Sequence, residues 1–583
     1  MDGHRFGLLV LALAAGVAFI AIAGFTTPTG LFTTQAPEDL GISVHVSCGD
    51  TIVADTTLDG DLLDCATESG VLIGADDITL DCDGFTIDGV DTSATYGVNV
   101  TGRSNVVIRN CVTTDWAAGI LLFTTNDSLV EDNSASSNTD TGIILDSGSY
   151  NNVVTGNQAN SNEADGIDVL ASYNTSVTNN TVDSNINGEG IEVSASVNTF
   201  VSENIVTSNN IGVSVSNSNN TVTMNYFEFN ENYGIYVSSE GNVISDNTLV
   251  DTNIGIALDV AEGNSITGNN ASFNVYGIYL DSSDNNNITA NVANSNANIG
   301  IFINEGFNNL LQGNTANYNA VDTQDIGGFI LASSSDNTLI DNNAIGNWAA
   351  YVTGDFGSGP AENNQVTNFN LGSAVVSFDG ESFGINGSSI QPADPSGLDN
   401  IGISFFSGNL IESAFLEVNV SYSEAGIDAS QESSLILAKY DGSDWFTDAA
   451  EFSNSFGVDT VNDIVFVNIT DFTGTVVPGN DNVALFALMV EGAEEDSGSG
   501  PPSGASRPLQ PEIQQQELPQ QIAEEPAEEE VAPEQQENLA EISGAAVAAP
   551  LSGSFSLMLL LLMALIIISI ILYEYYKIKS RKT

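Results

Sequence analysis

The sequence predicts an all-β chain: a right-handed parallel β-helix of eleven or more coils, then a small β-sandwich, with a C-terminal transmembrane helix. Three observations predict it. Gly followed by an apolar residue recurs from Gly97 to Gly328 at spacings of 21 to 28 residues. After each Gly, the first and third residues are apolar, as in Ile143 and Leu145, Ile167 and Val169, Ile191 and Val193. That period of two is a strand with one buried face. An Asn recurs on the same clock, with a second polar column five residues later, as in Asn157 and Asn162 or Asn180 and Asn185.

A unit of about 22 residues cannot bury an apolar face alone, whereas stacked units pair every backbone edge with the coil above or below. An aliphatic three residues before each Asn, from Val107 through Val130 and Val154 to Leu339, supplies a second wall. Asn is expected at the corners because it tolerates left-handed backbone, and stacked amides bond along a column. Gly is expected to permit a sharp turn into the strand. The Leu-x-x-Leu-x-Leu pattern of the nearest competing solenoid is absent, and no helical period intervenes. Cys48, Cys65, Cys82 and Cys111 form an even set, which outside the cell implies two disulfides. Cys82 and Cys111 fall in the same slot of successive coils, which favours Cys48–Cys65 and Cys82–Cys111 among the three pairings.

The ends have their own chemistry. Residues 1–23 read as a secretory signal, with His4 and Arg5, an apolar run and Ala21-Ile22-Ala23. Residues 24–95 form the N-terminal cap and first coils, and 96–350 the repeats. Residues 371–490 alternate as strands, as in Leu416-Glu-Val-Asn-Val-Ser, and read as a sandwich that caps the rod, with Trp445 as its candidate ligand anchor. Residues 491–550 hold eight of the fourteen prolines among many Glu and Gln, a charge-extended stalk. Residues 553–573 are uncharged and long enough to span a bilayer, and the basic tail 574–583 is expected to stay cytoplasmic. The body is therefore expected outside the cell on a single-pass membrane anchor.

The stretches Cys48-Gly-Asp-Thr-Ile, Gly74-Ala-Asp-Asp-Ile-Thr-Leu-Asp-Cys-Asp-Gly and Gly102-Arg-Ser-Asn-Val-Val-Ile-Arg-Asn-Cys resemble archaeal and bacterial surface β-helix proteins of the NosD-like, pectate-lyase-like group. The resemblance covers about residues 42–350. It implies the fold firmly and an activity weakly, since the group spans lyases, epimerases, hydrolases, adhesins and inert rods.

Charge limits the partners. Nine Lys and Arg against 76 Asp and Glu give a net charge of -67, which repels nucleic acid and, without a bridging cation, polyuronates. Two histidines exclude a histidine metal site or a His-based triad. No cofactor is required, and Ca²⁺ is a candidate occupant of acidic clusters. Two outward groups carry the remaining chemistry. Tyr236, Tyr279 and Phe302, with Asp259, Asp281 and Asn304, form a candidate glycan strip; an ordinary cross-strand ladder is the plainer alternative. Asp146, Asp168 and Glu192 form a candidate catalytic carboxylate set for glycoside hydrolysis. Sequons stand at Asn99, Asn126, Asn174, Asn179, Asn219, Asn270, Asn287, Asn386, Asn419 and Asn468. The expected function is non-catalytic: a surface protein that binds envelope glycans or surface proteins. The alternatives are a tethered glycoside hydrolase and a purely structural envelope component.

Overall fold

The computed structural model describes residues 45–320, 327–388, 392–409, 415–422, 427, 429–432, 434–476 and 482–491. Fourteen parallel strands, from Asp50–Ile52 to Tyr351–Gly354, stack into one sheet, here the Gly-led sheet. A second parallel stack runs from Thr56–Thr57 to Gln365–Asn370, and short strands such as Thr181–Asp183 and Ile205–Thr207 make a third side. At about 4.8 Å per coil the solenoid is about 60–65 Å long.

The aliphatic rows point to the axis as the alternation requires. Ile143, Ile167 and Ile191 are register partners, and each is fully buried. Burying one such side chain contributes about 1.5–3 kcal/mol before chain entropy is charged against it. The glycines do a different job from the expected one. None of Gly142, Gly166 and Gly190 has a positive φ. A Cβ on Gly190 would lie 2.7 Å from the Gly212 carbonyl oxygen and 2.5 Å from Val206. Close packing, not turning, requires Gly there.

The Asn columns are also corrected in detail. The left-handed residue is the one before each ladder Asn, for example Asp132, Asn179 and Asp246, whereas Asn133, Asn180 and Asn247 keep ordinary backbone. The ladder Asn points inward. Oδ1 of Asn204 accepts the backbone N–H of Asn180 at 2.9 Å, while its Nδ2 donates to the Val177 carbonyl at 2.9 Å. The same pattern repeats from Asn133 to Asn342 and, in the second column, from Asn138 to Asn347, with Thr252 in place of one Asn. A third ladder runs from Asn220 through Asn242, Asn264 and Asn286 to Asn364. At the first coils the column shifts by one residue. Cys111, not Asn110, takes the ladder slot beneath Asn133, and Ile108, not Val107, is the wall residue paired with Val130.

Both disulfides, Cys48–Cys65 and Cys82–Cys111, are formed. At the other end the sheets do not stop. Gln365–Asn370 pairs antiparallel with Val375–Glu381, and Tyr351–Gly354 with Phe383–Gly387, so both rod sheets continue into the sandwich. Phe329, Tyr351, Phe369, Phe378 and Phe383 plug the junction, with contacting ring centroids 5.0–5.9 Å apart. Within the sandwich, buried Lys439 donates to Asp471 at 2.7 Å. Among the described residues no helix is long and apolar enough to cross a membrane. Residues 1–23, 492–550 and 553–583, where the signal, nearly all of the expected 491–550 stalk, the anchor and the basic tail were expected, lie outside the described residues.

Replacing Asn204 by Ala strands a buried N–H and a buried carbonyl, each costing about 1–3 kcal/mol. Denaturant unfolding is expected to show a loss of about 2–4 kcal/mol for Asn204→Ala. Asn232→Ala, which removes an exposed amide hydrogen bond to Asn210 at a residue with ordinary backbone, is expected to stay within about 0.5 kcal/mol of the parent.

Candidate functional site

Both candidate groups lie on the outward face of the Gly-led sheet, and they share one register column. Asp168 pairs with Glu192, Glu192 with Ser214, Ser214 with Tyr236, Tyr236 with Ala257, Ala257 with Tyr279, and Tyr279 with Phe302. The face therefore runs from a carboxylate end to an aromatic end.

At the carboxylate end, oxygens of Asp165, Asp168 and Glu192 lie within 4.8 Å of one another. Asp146 stands outside this trio; its charge reaches Asp168 only as one of the weaker influences. Asp165 takes the place expected for it. Glu189 joins from the same side, its backbone N–H bonded to the Asp165 carboxylate at 2.7 Å. Burial, then the charges of Glu192, Asp165, Asp146 and Glu189, push the Asp168 carboxyl up to about 8. Burial also raises Glu189, helped by its hydrogen bond to Asp165, and raises Glu192. One oxygen of Asp168, Oδ1, is buried without a hydrogen-bond partner. At neutral pH the cluster thus holds a protonated carboxyl at Asp168. Asp165, Asp168 and Glu192 are the residues that could hold a hard divalent ion once Asp168 is deprotonated.

At the aromatic end, Tyr279 and Phe302 stack with centroids 5.0 Å apart. The Tyr236 hydroxyl donates to Asp259 at 2.8 Å, one coil on, and Asn304 donates to Asp281 at 2.7 Å. Burial and these acidic neighbours push the Tyr236 and Tyr279 hydroxyls up to about 12. Ala257 separates Tyr236 from Tyr279 and is nearly covered. Tyr233 and Tyr276, immediately before the Gly of their coils, widen the strip, with Tyr233 5.1 Å from Tyr236.

Asp165, Glu189, Tyr233 and Tyr276 escape a strict period-two reading for one reason. The alternation slips at the Gly, which is buried together with the residue after it, so the residue before it faces outward together with the second residue after it. A column count at that position would have found all four.

Other expected sites are placed as follows. Asn174, Asn179, Asn219, Asn270, Asn287 and Asn419 are exposed, and Asn99 and Asn126 are partly covered. Nδ2 of Asn386 is engaged by two backbone carbonyls, and Nδ2 of Asn468 by Glu417. Trp445 donates to the Ala393 carbonyl and leans on Tyr440. Two surface depressions, one beside Asn110 and Gln158 and one beside Asp448 and Phe456, touch neither end of the shared face.

Because the folded Asp168 carboxyl titrates about 8 and the unfolded one near 3.8, the native state holds the extra proton between those values. Stability is then greatest below the lower value and falls as pH rises through the upper one. Thermal melts at pH 5 and pH 8.5 are expected to show this fall, and Asp168→Asn is expected to remove most of it and to melt higher at pH 8.5. Parallel pH profiles for the two proteins would refute the buried, protonated carboxyl.

The family model of NosD, described as a periplasmic copper-binding protein, matches residues 67–234 and 228–355. No curated protein matches the sequence. Solved structures with similar folds include the A-module of a mannuronan C-5 epimerase from Azotobacter vinelandii, at 14% identity, covering 57% of this chain and 90% of that one, TM-score 0.36. A periplasmic alginate epimerase matches at 15% identity, covering 50% and 78%, TM-score 0.34. The Dettilon tailspike protein matches at 14% identity, covering 75% and 88%, TM-score 0.28. With fourteen in-register parallel coils, most of them within the residues that the NosD family model matches, the chain has the fold of the parallel β-helix repeat proteins.

Proposed function

We propose that this is an extracellular, membrane-tethered β-helix protein that binds neutral envelope glycans along the outward face of its Gly-led sheet. The observation that carries this reading is the single column from Asp168 to Phe302, which puts carboxyl groups and tyrosines on one open face. An extended polymer meets such a face along its length. Its hydroxyls find carboxyl, amide and phenol partners, and its apolar faces find the tyrosines. The tether is the expected stalk and anchor of residues 491–583, with the signal at 1–23 delivering the body outside.

The net charge of -67 favours uncharged ligands. Epimerase or lyase chemistry on uronates needs a cation beside the substrate carboxylate. The rod's arginines are committed elsewhere: Arg109 pairs with Asp81 at 2.9 Å, and Arg103 donates to the Ile73 carbonyl. Copper binding fits the residues poorly as well. All four cysteines are in disulfides, and Met224 is the rod's one thioether. A glycan array probed with the chain lacking residues 553–583 is expected to show binding to neutral glycans, weakened by about tenfold in Tyr236→Ser/Tyr279→Ser. An array without signal above background would refute the reading.

One observation favours a second reading. Carboxyl oxygens of Asp168 and Glu192 within 4.8 Å, one residue protonated at neutral pH, match the acid and nucleophile of a retaining glycosidase. The same oxygens suit Ca²⁺. Reducing-sugar release lost in Asp168→Asn is the expected result for catalysis. A calcium-dependent rise in melting temperature, reversed by EDTA and absent in Asp168→Asn, is the expected result for a cation. Neither effect would leave the cluster a structural feature of the face.

A further inference from the structure

A different side of the rod carries a row of aromatics that the shared face does not use. The residue before each member of the second Asn ladder is a left-handed corner. Short residues usually fill it, such as Ser184 and Ser208. Farther along, the column reads Phe229, Asp251, Phe273, Ser295 and Tyr318. Phe229, Phe273 and Tyr318 have φ of 55°, 63° and 58°, a region that bulky residues avoid. They are also 59%, 58% and 54% exposed. The solenoid demands a left-handed residue at this corner and accepts Ser there, so neither folding nor core packing calls for an aromatic.

Their spacing is regular. An aromatic occupies every second coil, so neighbouring rings stand about 9.6 Å apart along the axis. The coil after each carries a short residue, Asp251, Ser295 or Gly346. A Cβ on Gly346 would lie 2.5 Å from the Tyr318 ring, so that ring lies over its small neighbour and keeps its other face to solvent. Half-buried amides of Asn294 and Asn317 run beside the row.

We infer that Phe229, Phe273 and Tyr318 form a binding row for a neutral, extended, β-1,4-linked polysaccharide lying parallel to the rod axis. The repeat of two coils is close to the length of two sugar units in such a chain, so each ring meets the same face of every second sugar. Isolated rings with polar gaps between them suit this ligand better than they suit a protein partner, whose interface core is continuous. The chain's negative charge excludes a polyanion. This row is on another face from the column of Asp168 and Tyr236, and it stands without that reading.

The test is sedimentation of the full chain, in detergent micelles free of sugar headgroups, with microcrystalline cellulose, chitin and, as an α-linked comparison, starch granules. The parent is expected to be depleted by cellulose or chitin and not by starch. Phe229→Ser/Phe273→Ser/Tyr318→Ser uses the residue that the same corner already carries elsewhere, so its melting temperature is expected to stay unchanged while binding falls about tenfold or more. Tyr236→Ser/Tyr279→Ser is expected to bind these polymers like the parent, which separates this row from the face proposed above. Equal binding by the triple variant, no depletion by either β-linked polymer, or a loss confined to self-association in sedimentation velocity would each overturn the inference.

Discussion

The solenoid depends on buried asparagines that close each corner against the next coil. A corner breaks strand pairing and would leave an N–H and a carbonyl facing the apolar axis. The side chain of Asn204 reaches both groups, on Asn180 and Val177, and Asn180 does the same one coil earlier. Two such ladders pin two corners from Asn133 onward, and a third joins them from Asn220 to Asn364, so successive coils turn at the same places. The aliphatic rows supply most of the driving force, but they are not directional. The amides decide where each turn is made, and the left-handed residue before each amide aims it inward.

Turning at the same places gives the outer surface its character. Any outward position becomes a column with a spacing set by the backbone, and function can be written along it by choice of side chain alone. The column through Asp168 shows what that geometry does to charge. Acids on successive coils are held too close together, and too far from water, for all of them to ionise. One carboxyl keeps its proton at neutral pH. An acidic protein thereby acquires proton donors on a face that its composition would suggest is wholly anionic.

Much of this was legible in the sequence, for identifiable reasons. Ile143, Ile167 and Ile191 follow a strict alternation, and alternation translates directly into a buried row. The position of the Asn columns was legible, but their reason was not, because a periodic Asn looks the same whether it makes the turn or closes it. The third ladder, Asn220 to Asn364, lies just before strands in segments of uneven length, where counting from the Gly blurs. Asn110 misled by one residue because Cys111, tied to Cys82, takes the Asn slot. Asp165 and Glu189 were hidden by the slip in alternation at Gly, which places them beside Asp168 and Glu192 although strict alternation assigns them to the interior.

The continuation of both rod sheets into the sandwich has a mechanical consequence. The strand Asn482–Glu491 lies between Leu398–Asn409 and Ile436–Tyr440, antiparallel to both. A pull on its C-terminal end, resisted through the plugged junction with the rod, loads two ladders of hydrogen bonds in shear. Bonds loaded in shear yield together instead of unzipping singly, so the sandwich is built as a stiff coupling that passes tension to the solenoid as a whole.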